Sequence, residues 1–268
     1  MKFAVERLTI GDMREIQLEL MDELDRICRE QRISYCIAYG SLLGAVRHGG
    51  FIPWDDDMDV VMLRSEYERL IAGFDEWKSS DRFALASYRD GQSIYPFVKL
   101  VDTTTKVLEN FVSKDTATGV WVDIFPLDDV DPDKLRPFRK NSRMSLVRSF
   151  IVADPSVGSS SFVRFVKRVV CPFASKLDVL KYARAIDENA RNACRGERSD
   201  TVADIIGEGK TSLLFPRTLF EPVAMPFEDR VFLAPSGYEK FLEIQYGDWR
   251  LPPSEEDREI HTFEAYRL

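Results

Sequence analysis

The segment DDDMDVVM, residues 55–62, places four carboxylates in five consecutive positions directly before an apolar run. Successive side chains of a β-strand alternate between faces, so Asp57 and Asp59 would project from one face and Met58 and Val60 from the other. Crowded carboxylates repel one another and raise each other's pKa unless a cation lies among them. The segment therefore predicts a strand that carries a divalent metal site. A solvated acidic loop is the alternative, and the alternation with apolar residues favours the strand.

A further carboxylate lies in the segment GVWVDIFPLD, residues 119–128. Asp123 interrupts a run of β-branched and aromatic residues that is typical of a buried strand, where an unpaired charge is costly. We expect Asp123 to be the third carboxylate of a catalytic and metal-binding set with Asp57 and Asp59, because two carboxylates on one strand hold a metal poorly. A structural salt bridge is the alternative for Asp123.

The segment YGSLLGAVRH, residues 39–48, is predicted to turn tightly into a short helix. Free backbone N–H groups at a helix N-terminus favour phosphate, so Gly40 would allow close approach and the Ser41 hydroxyl would bind an oxygen. A helix-capping role is the alternative for Ser41. Arg47 is a candidate cationic donor to the same phosphate. Lys99 interrupts another apolar strand, and its ammonium group would either meet phosphate or extend to solvent.

The composition of the 268-residue chain, 44% apolar and 31% charged, is typical of a soluble globular protein. The sequence predicts neither a transmembrane span nor a signal peptide, so we expect a cytoplasmic location, with the inner face of the membrane as a further option. Four scattered cysteines without a C-x-x-C pair favour buried free thiols over disulfides or a zinc site.

Basic residues are concentrated in the segment 134–184, which carries a net charge of +10 although the whole chain carries −8. Within it, residues 162–173 place phenylalanine and valine on one helix face and most basic side chains off it. Such a helix either packs on the core, which we favour, or makes peripheral contact with anionic lipid or a lipid-linked glycan. Nucleic acid is not an expected partner, because the rest of the chain is strongly acidic.

Hydrophobic periodicity predicts an α+β fold, with a mixed β-sheet, flanking helices and a helical middle region. The first helix is expected from Thr9 to Gln31, and a strand pair is expected around Glu228. We divide the chain into a catalytic core at 1–130, a basic helical region at 131–200, and residues 201–268, which complete the catalytic unit. The C-terminal tail is predicted to be mostly loop.

Four blocks of the sequence together resemble one known family. They are YGSLLGAVRHGGFIPWDDDMDVVM, FVKLVDTTT, VWVDIFPLD and YGDWRLPP, with a histidine following the last block. They are similar to the LicD family, named for bacterial transferases that place phosphocholine on cell-surface glycans. The resemblance runs from about residue 35 to the C-terminus and implies a nucleotidyltransferase-like fold. The family's relatives include the fukutin group of alditol-phosphate transferases.

The resemblance implies roles for residues in these blocks. The paired metal aspartates of the family correspond to Asp57 and Asp59, and the carboxylate of its WVDIFP motif corresponds to Asp123. Mg²⁺ or Mn²⁺ is the expected cofactor. The residues expected to bind substrate are Gly40, Ser41, Arg47, His48, Lys99, Asp102 and His261, of which His261 has the least support.

By this resemblance the donor would be a CDP-linked alcohol such as CDP-choline, and the acceptor a sugar or alditol hydroxyl of a glycan or lipid-linked glycan. The expected activity is metal-dependent transfer of phosphocholine with release of CMP. One alternative is an alditol-phosphate transferase that uses CDP-glycerol or CDP-ribitol, or a nucleotidyltransferase. Another is a non-catalytic protein that binds glycan or lipid.

Overall fold

The computed structural model describes residues 6–109, 119–158, 160–194, 196–207, 213–252 and 263–268, and its helices and strands belong to these ranges. The helices are α1 (Ile10–Gln31), α2 (Tyr39–His48), α3 (Arg64–Trp77), α4 (Arg136–Val152), α5 (Ser161–Ala174), α6 (Val179–Arg191) and α7 (Tyr238–Tyr246). The strands are β1 (Glu6–Arg7), β2 (Cys36–Ile37), β3 (Asp59–Leu63), β4 (Phe83–Ala86), β5 (Val98–Asp102), β6 (Thr105–Glu109), β7 (Trp121–Asp129), β8 (Thr201–Ala203), β9 (Phe215–Pro216), β10 (Pro222–Phe227), β11 (Arg230–Pro235) and β12 (Phe263–Arg267). The expected α+β fold is confirmed.

Helix α1 begins at a capping box, as its sequence predicts. The Thr9 hydroxyl accepts a hydrogen bond from the Asp12 N–H at 3.2 Å, and the Asp12 carboxylate accepts one from the Thr9 N–H at 2.8 Å. These two bonds satisfy backbone donors that the first turn of a helix leaves free. The buried stripe of the helix then packs against β5, β7 and α3.

The main sheet has the strand order β2-β3-β7-β5-β4, with β8 continuing from β7 and β9 from β8. Strands β3 and β7 are parallel, whereas β5 runs antiparallel to β7. Strand β7 is buried along almost its whole length because it is central. Its apolar sequence follows from that position, since a central strand covered on both faces needs apolar side chains on both.

Three helices form the middle region that the sequence predicts. Helix α4 packs against α5 and α6, and a small apolar cluster joins them, which contains Ile151, Val152, Ala174 and Val179. The buried side chains of α5 are the small residues Cys171 and Ala174. Its phenylalanine side chains lie on the other side and are exposed, so the expectation that this face packs on the core is wrong.

An ion-pair cluster attaches α6 to the sheet. The Arg64 guanidinium donates to both carboxylate oxygens of Asp128 at 2.7 Å and to Asp187 at 2.8 Å. These three residues belong to α3, β7 and α6, and both carboxylates are buried. The cluster therefore holds three elements of different parts of the chain together.

The C-terminal part contains the predicted hairpin, β10 and β11, and helix α7, which ends at Gly247 with φ +70°. The expectation that the tail is mostly loop is wrong for β12, which pairs with β6 and β1. The sequence FEAYR is too short and too charged to identify a strand, and pairing with β6 stabilises it. Strands β8 and β9 were not predicted either.

Two further expectations concern the whole chain. All four cysteines are free, and three of them, Cys28, Cys36 and Cys171, are buried. Helices within the described ranges all lack the combination of length and hydropathy that crossing a bilayer requires.

Candidate metal and phosphate site

The register of β3 and β7 places Asp59 directly beside Asp123. The strands are held there by a hydrogen bond from the Asp123 N–H to the Met58 carbonyl at 2.8 Å. Asp57 lies in the segment just before β3, because the strand begins later than the sequence predicts. One carboxylate oxygen from each of Asp57, Asp59 and Asp123 lies within 4.8 Å of the other two. The structure therefore brings together the three carboxylates that the sequence singles out.

The carboxylates of Asp57, Asp59 and Asp123 repel one another, so their cluster is electrostatically unfavourable without a bound cation. Burial raises the pKa of Asp59 well above its usual value, and the neighbouring carboxylates of Asp57 and Asp123 raise it further. Burial also raises the pKa of Asp123, to about 6, although the ammonium group of Lys99 opposes this shift. Hard oxygen ligands are those that Mg²⁺ and Mn²⁺ prefer, so the donor set fits a divalent cation.

Lys99 and Trp121 hold the Asp123 carboxylate from the side of the sheet. The Lys99 Nζ lies 3.2 Å from Asp123 Oδ1, and the Trp121 Nε1–H donates to Oδ2 at 3.2 Å. The ammonium group also lies 3.7 Å from the centroid of the Trp121 ring. Lys99 is only 3% exposed, so it does not extend to solvent. Asp123 thus makes a salt bridge and also belongs to the carboxylate cluster.

Gly40 and Ser41 lie in the first turn of α2, directly behind the acidic segment. The Ser41 hydroxyl accepts a hydrogen bond from the Asp59 N–H at 2.8 Å, which fixes the start of β3. Ala38 is the N-cap of α2, so Ser41 is not a capping residue. A Cβ atom at Gly40 would lie 2.5 Å from Asp55 Oδ2. Glycine is therefore required for the Asp55 carboxylate to approach this helix.

A cavity of about 730 Å³ opens in front of the carboxylates. Five of the sequence-predicted residues line it, namely Gly40, Arg47, Asp57, Asp59 and Asp123. Ser41, His48, Lys99 and Asp102 are not among its lining residues. His261 lies outside the described residues. The cavity therefore unites the carboxylates with one cationic side chain and the N-terminal turn of α2.

Arg47 and His48 lie at the end of α2. The Arg47 guanidinium donates to the His48 Nε2 at 3.0 Å and to the Trp249 carbonyl at 3.1 Å. Burial lowers the pKa of His48, and the adjacent Arg47 charge lowers it further. A neutral His48 can accept the hydrogen bond from Arg47. His48 is thereby a support for Arg47 in this structure.

Asp102 lies at the far end of β5 and is bound elsewhere. Its carboxylate accepts hydrogen bonds from the Arg82 guanidinium at 2.7 and 2.9 Å and from the Thr104 N–H at 2.8 Å. Burial opposes ionisation of Asp102, but these hydrogen bonds outweigh it and hold its pKa below the usual value. The structure gives Asp102 a turn-forming role and does not bring it to the cavity.

Sequence reasoning missed Asp204, a buried carboxylate that lines the cavity. It accepts hydrogen bonds from the Tyr39 hydroxyl at 2.9 Å and from the Gly207 N–H at 2.7 Å. Tyr39 adopts the left-handed conformation with φ +47° directly before Gly40. The signal was present, because Asp204 interrupts the apolar run TVADIIG in the same way that Asp123 interrupts its strand.

Sequence reasoning also selected no residue from the block YGDWRLPP, although it is one of the four blocks that resemble the LicD family. Its residues Tyr246, Asp248 and Trp249 line the cavity, and Trp54 lines it from the acidic loop. Asp55, Asp56 and Asp57 form a second group whose oxygens lie within 4.8 Å of one another. The lining of the cavity thus includes aromatic as well as acidic side chains.

The fold and this cavity define the class of protein to which the chain is similar. Carboxylates on adjoining parallel strands, faced by the first turn of a helix, make the core of a nucleotidyltransferase-like α+β domain. Residues 32–151 match the family described as LicD/FKTN/FKRP, nucleotidyltransferase domain. Residues 32–151 are therefore similar to the nucleotidyltransferase domain of the LicD family, which confirms the resemblance over this part of the chain.

Individual relatives extend this similarity beyond the domain. The lipopolysaccharide cholinephosphotransferase LicD of Haemophilus influenzae is 28% identical over 277 residues, covering 98% of this chain and 100% of that protein. Uncharacterised proteins of Rickettsia typhi and Rickettsia prowazekii are 38% and 36% identical over 63 residues. Those shorter matches cover 23% of this chain and 20% and 24% of the two proteins.

Proposed function

We propose that this protein is a metal-dependent transferase that moves phosphocholine from CDP-choline to a hydroxyl group of a cell-surface glycan precursor. One observation carries the proposal: oxygens of Asp57, Asp59 and Asp123 converge within 4.8 Å at the wall of a large cavity. Similarity to a lipopolysaccharide cholinephosphotransferase along 98% of the chain supports the choice of substrates.

Asp57 and Asp59 are the proposed ligands of Mg²⁺ or Mn²⁺, with Asp123 beside them. A bound divalent cation would neutralise phosphate oxygens of the donor and of the CMP that leaves. The N-terminal turn of α2 and the Arg47 guanidinium supply further positive potential for phosphate in the same cavity. These groups together would hold a diphosphate between them.

Asp123 is the proposed general base. It would accept the proton of the acceptor hydroxyl as the hydroxyl oxygen bonds to the choline-bearing phosphorus. The bond from that phosphorus to the bridging oxygen then breaks, and the electron pair leaves on CMP. Burial raises the pKa of Asp123 above its usual value, and a carboxylate with a raised pKa is a stronger base. Lys99 and Trp121 would keep the carboxylate oriented during this proton transfer.

The aromatic residues of the cavity lining, Trp54, Tyr246 and Trp249, favour choline over glycerol or ribitol as the transferred alcohol. Quaternary ammonium groups bind over aromatic faces, where the ring quadrupole attracts the cation. Asp55 and Asp248 add negative charge to the same cavity lining. An alditol would instead require hydrogen-bond partners for each of its hydroxyl groups.

The remaining expectations from the sequence are part of this proposal. Residues 201–268 would complete the catalytic unit, because Asp204 and Trp249 line the same cavity as Asp59. The division at 130 and 200 follows the start and end of the helical middle region. A cytoplasmic location would give the enzyme access to a CDP-linked donor.

A panel of donors tests the substrate. CDP-choline, CDP-glycerol, CDP-ribitol and a nucleoside triphosphate would each be incubated with the protein, Mg²⁺ or Mn²⁺ and a lipid-linked glycan extract. We expect CMP to be released fastest from CDP-choline and its release to increase with acceptor. Faster release from an alditol donor would overturn the choice of phosphocholine, and pyrophosphate release from a nucleoside triphosphate would identify a nucleotidyltransferase. If neither CMP nor pyrophosphate is released from any donor, a non-catalytic binding protein would be favoured.

A substitution at Trp54 tests the proposed binding of choline by the aromatic residues of the cavity lining. Trp54→Leu removes the aromatic face, so we expect the KM for CDP-choline to rise about tenfold, with a smaller effect on kcat. Trp54→Phe retains an aromatic face and is the matched control. Equal KM values for the native protein and Trp54→Leu would contradict this assignment.

A further inference from the structure

Helix α5 exposes an apolar face that no other part of the described chain covers. Phe162, Phe165 and Phe173 are 73%, 63% and 72% exposed, and Val169 between them is 52% exposed. Their spacing of three or four residues places them along one side of the helix. We call these four residues the α5 face. Large aromatic side chains are rarely left in water in such a row, so this surface requires a partner.

The two helices that form this region are basic, and Asp154 lies in the loop between them. Helices α4 and α5 together contain eight basic residues and no acidic residue. Arg168 is exposed beside Val169, and none of the described acidic side chains forms an ion pair with it. Such a face is complementary to a surface that is apolar inside and negatively charged outside. A bilayer that contains anionic lipid has both properties.

A cavity behind the α5 face strengthens this match. It has a volume of about 410 Å³, lies between α4 and α5, and its walls are mostly apolar. Phe162 and Val166 line one wall, and Phe150 lines the other. Arg148 also lines it, and the Arg148 Nε–H has no hydrogen-bond partner among the described residues. The cavity therefore combines apolar walls, which suit an acyl chain, with one guanidinium group among its lining residues.

We propose that the α5 face is a docking surface for a bilayer containing anionic lipid. The phenylalanine side chains would enter the interface, and the basic side chains of α4 and α5 would contact lipid phosphates. A second copy of this face is a poor partner, because it would bring two sets of like charges together. The inference does not depend on the proposed transferase activity.

Vesicle sedimentation with the full-length protein tests the proposal. We expect binding to vesicles of phosphatidylcholine with about 30% phosphatidylglycerol, and at least tenfold weaker binding to phosphatidylcholine alone. The double variant Phe165→Ser, Phe173→Ser should bind anionic vesicles at least tenfold more weakly. Val223→Ser, Val231→Ser is the matched control, since these exposed valines lie on β10 and β11, and it should bind like the native protein.

A second measurement separates insertion from simple charge attraction. Phe165→Trp should show a blue shift of the emission of the introduced tryptophan, relative to the native protein, when anionic vesicles are added. Failure to bind anionic vesicles, unchanged binding of the Phe165→Ser, Phe173→Ser variant, or absence of the blue shift would each overturn the proposal. Loss of a native dimer in that variant, seen by gel filtration without vesicles, would instead identify a second copy as the partner.

Discussion

At the scale of single residues, the site consists of carboxylates that are unfavourable until a cation is bound. Asp59 and Asp123 have raised pKa values because they are buried beside other carboxylates. A group with a raised pKa in the folded state stabilises the fold at low pH, and this contribution is lost as the pH rises through the folded pKa. For Asp123 in the metal-free site this contribution is therefore lost between about pH 4 and pH 6, and a bound cation would compensate for the loss.

The first prediction is that metal affinity increases with pH. Protons compete with Mn²⁺ for Asp59 and Asp123, so binding should be at least tenfold tighter at about pH 7.5 than at about pH 5. Mn²⁺ binding followed by electron paramagnetic resonance measures this directly. Calorimetry in two buffers should detect release of protons on binding. Affinity that is independent of pH across this range would contradict the raised pKa values.

The second prediction concerns Gly40. The new Cβ of Gly40→Ala would lie 2.5 Å from Asp55 Oδ2, which is too close, so the Asp55 carboxylate would have to move. We therefore expect kcat/KM to fall at least tenfold. Gly11→Ala is the control, because its nearest neighbour would be Thr9 Oγ1 at 3.7 Å, an ordinary contact. The control should be unchanged in activity and more stable by about 0.5 kcal/mol. Full activity of Gly40→Ala would show that this close approach is not needed.

At the scale of elements, the sequence identifies long apolar strands and amphipathic helices better than short strands that depend on a distant partner. Strand β7 is identifiable because Asp123 interrupts a long apolar run, and α1 because its cap and its stripe agree. Strand β12 is not identifiable, because pairing with β6 forms it and that partner is distant in sequence. Helix α5 was recognised as amphipathic, but the direction of its apolar face depends on how α4 packs.

The third prediction concerns the cluster that connects α3, β7 and α6. Arg64→Met leaves the carboxylates of Asp128 and Asp187 without their main cation, although both are buried. We expect a loss of about 3 to 5 kcal/mol in the free energy of unfolding, measured by urea denaturation. Arg64→Lys keeps the charge but not the bidentate geometry and should lose less. A loss below about 1 kcal/mol for Arg64→Met would show that the cluster is not structural.

At the scale of the whole molecule, the carboxylate site could be predicted because its members have strong local signals. Asp57 and Asp59 stand together in sequence, and Asp123 is a charge in an apolar strand. Trp249 could not be selected, because only tertiary packing brings the end of α7 to the acidic loop. Lys99 was assigned to phosphate, but the sheet register pairs it with Asp123. A residue that positions another residue, as Lys99 does for Asp123, has no sequence pattern that identifies this role.

The charge distribution also separates two surfaces of the chain. Segment 134–184 carries +10 and the rest carries −18, so the acidic cavity and the basic helices have different electrostatic partners. A divalent cation at the proposed metal site would offset the negative charge of the cavity, so that a negatively charged donor could enter it. The basic helices would contact the anionic lipid of the proposed bilayer surface.

The measurement that tests the central claim most directly is metal-dependent release of CMP from CDP-choline by Asp57→Asn, Asp59→Asn and Asp123→Asn. Asp57→Asn and Asp59→Asn should fold, because they remove repulsion between carboxylates. Asp123→Asn also removes the salt bridge to the buried Lys99, so circular dichroism must first show that each variant is folded. Asp81→Asn is the control, since the Asp81 side chain is fully exposed. We predict a loss of kcat of about 100-fold or more in each of the three variants and native activity in the control. Native rates in any of the three would contradict the claim that this carboxylate set carries the transfer.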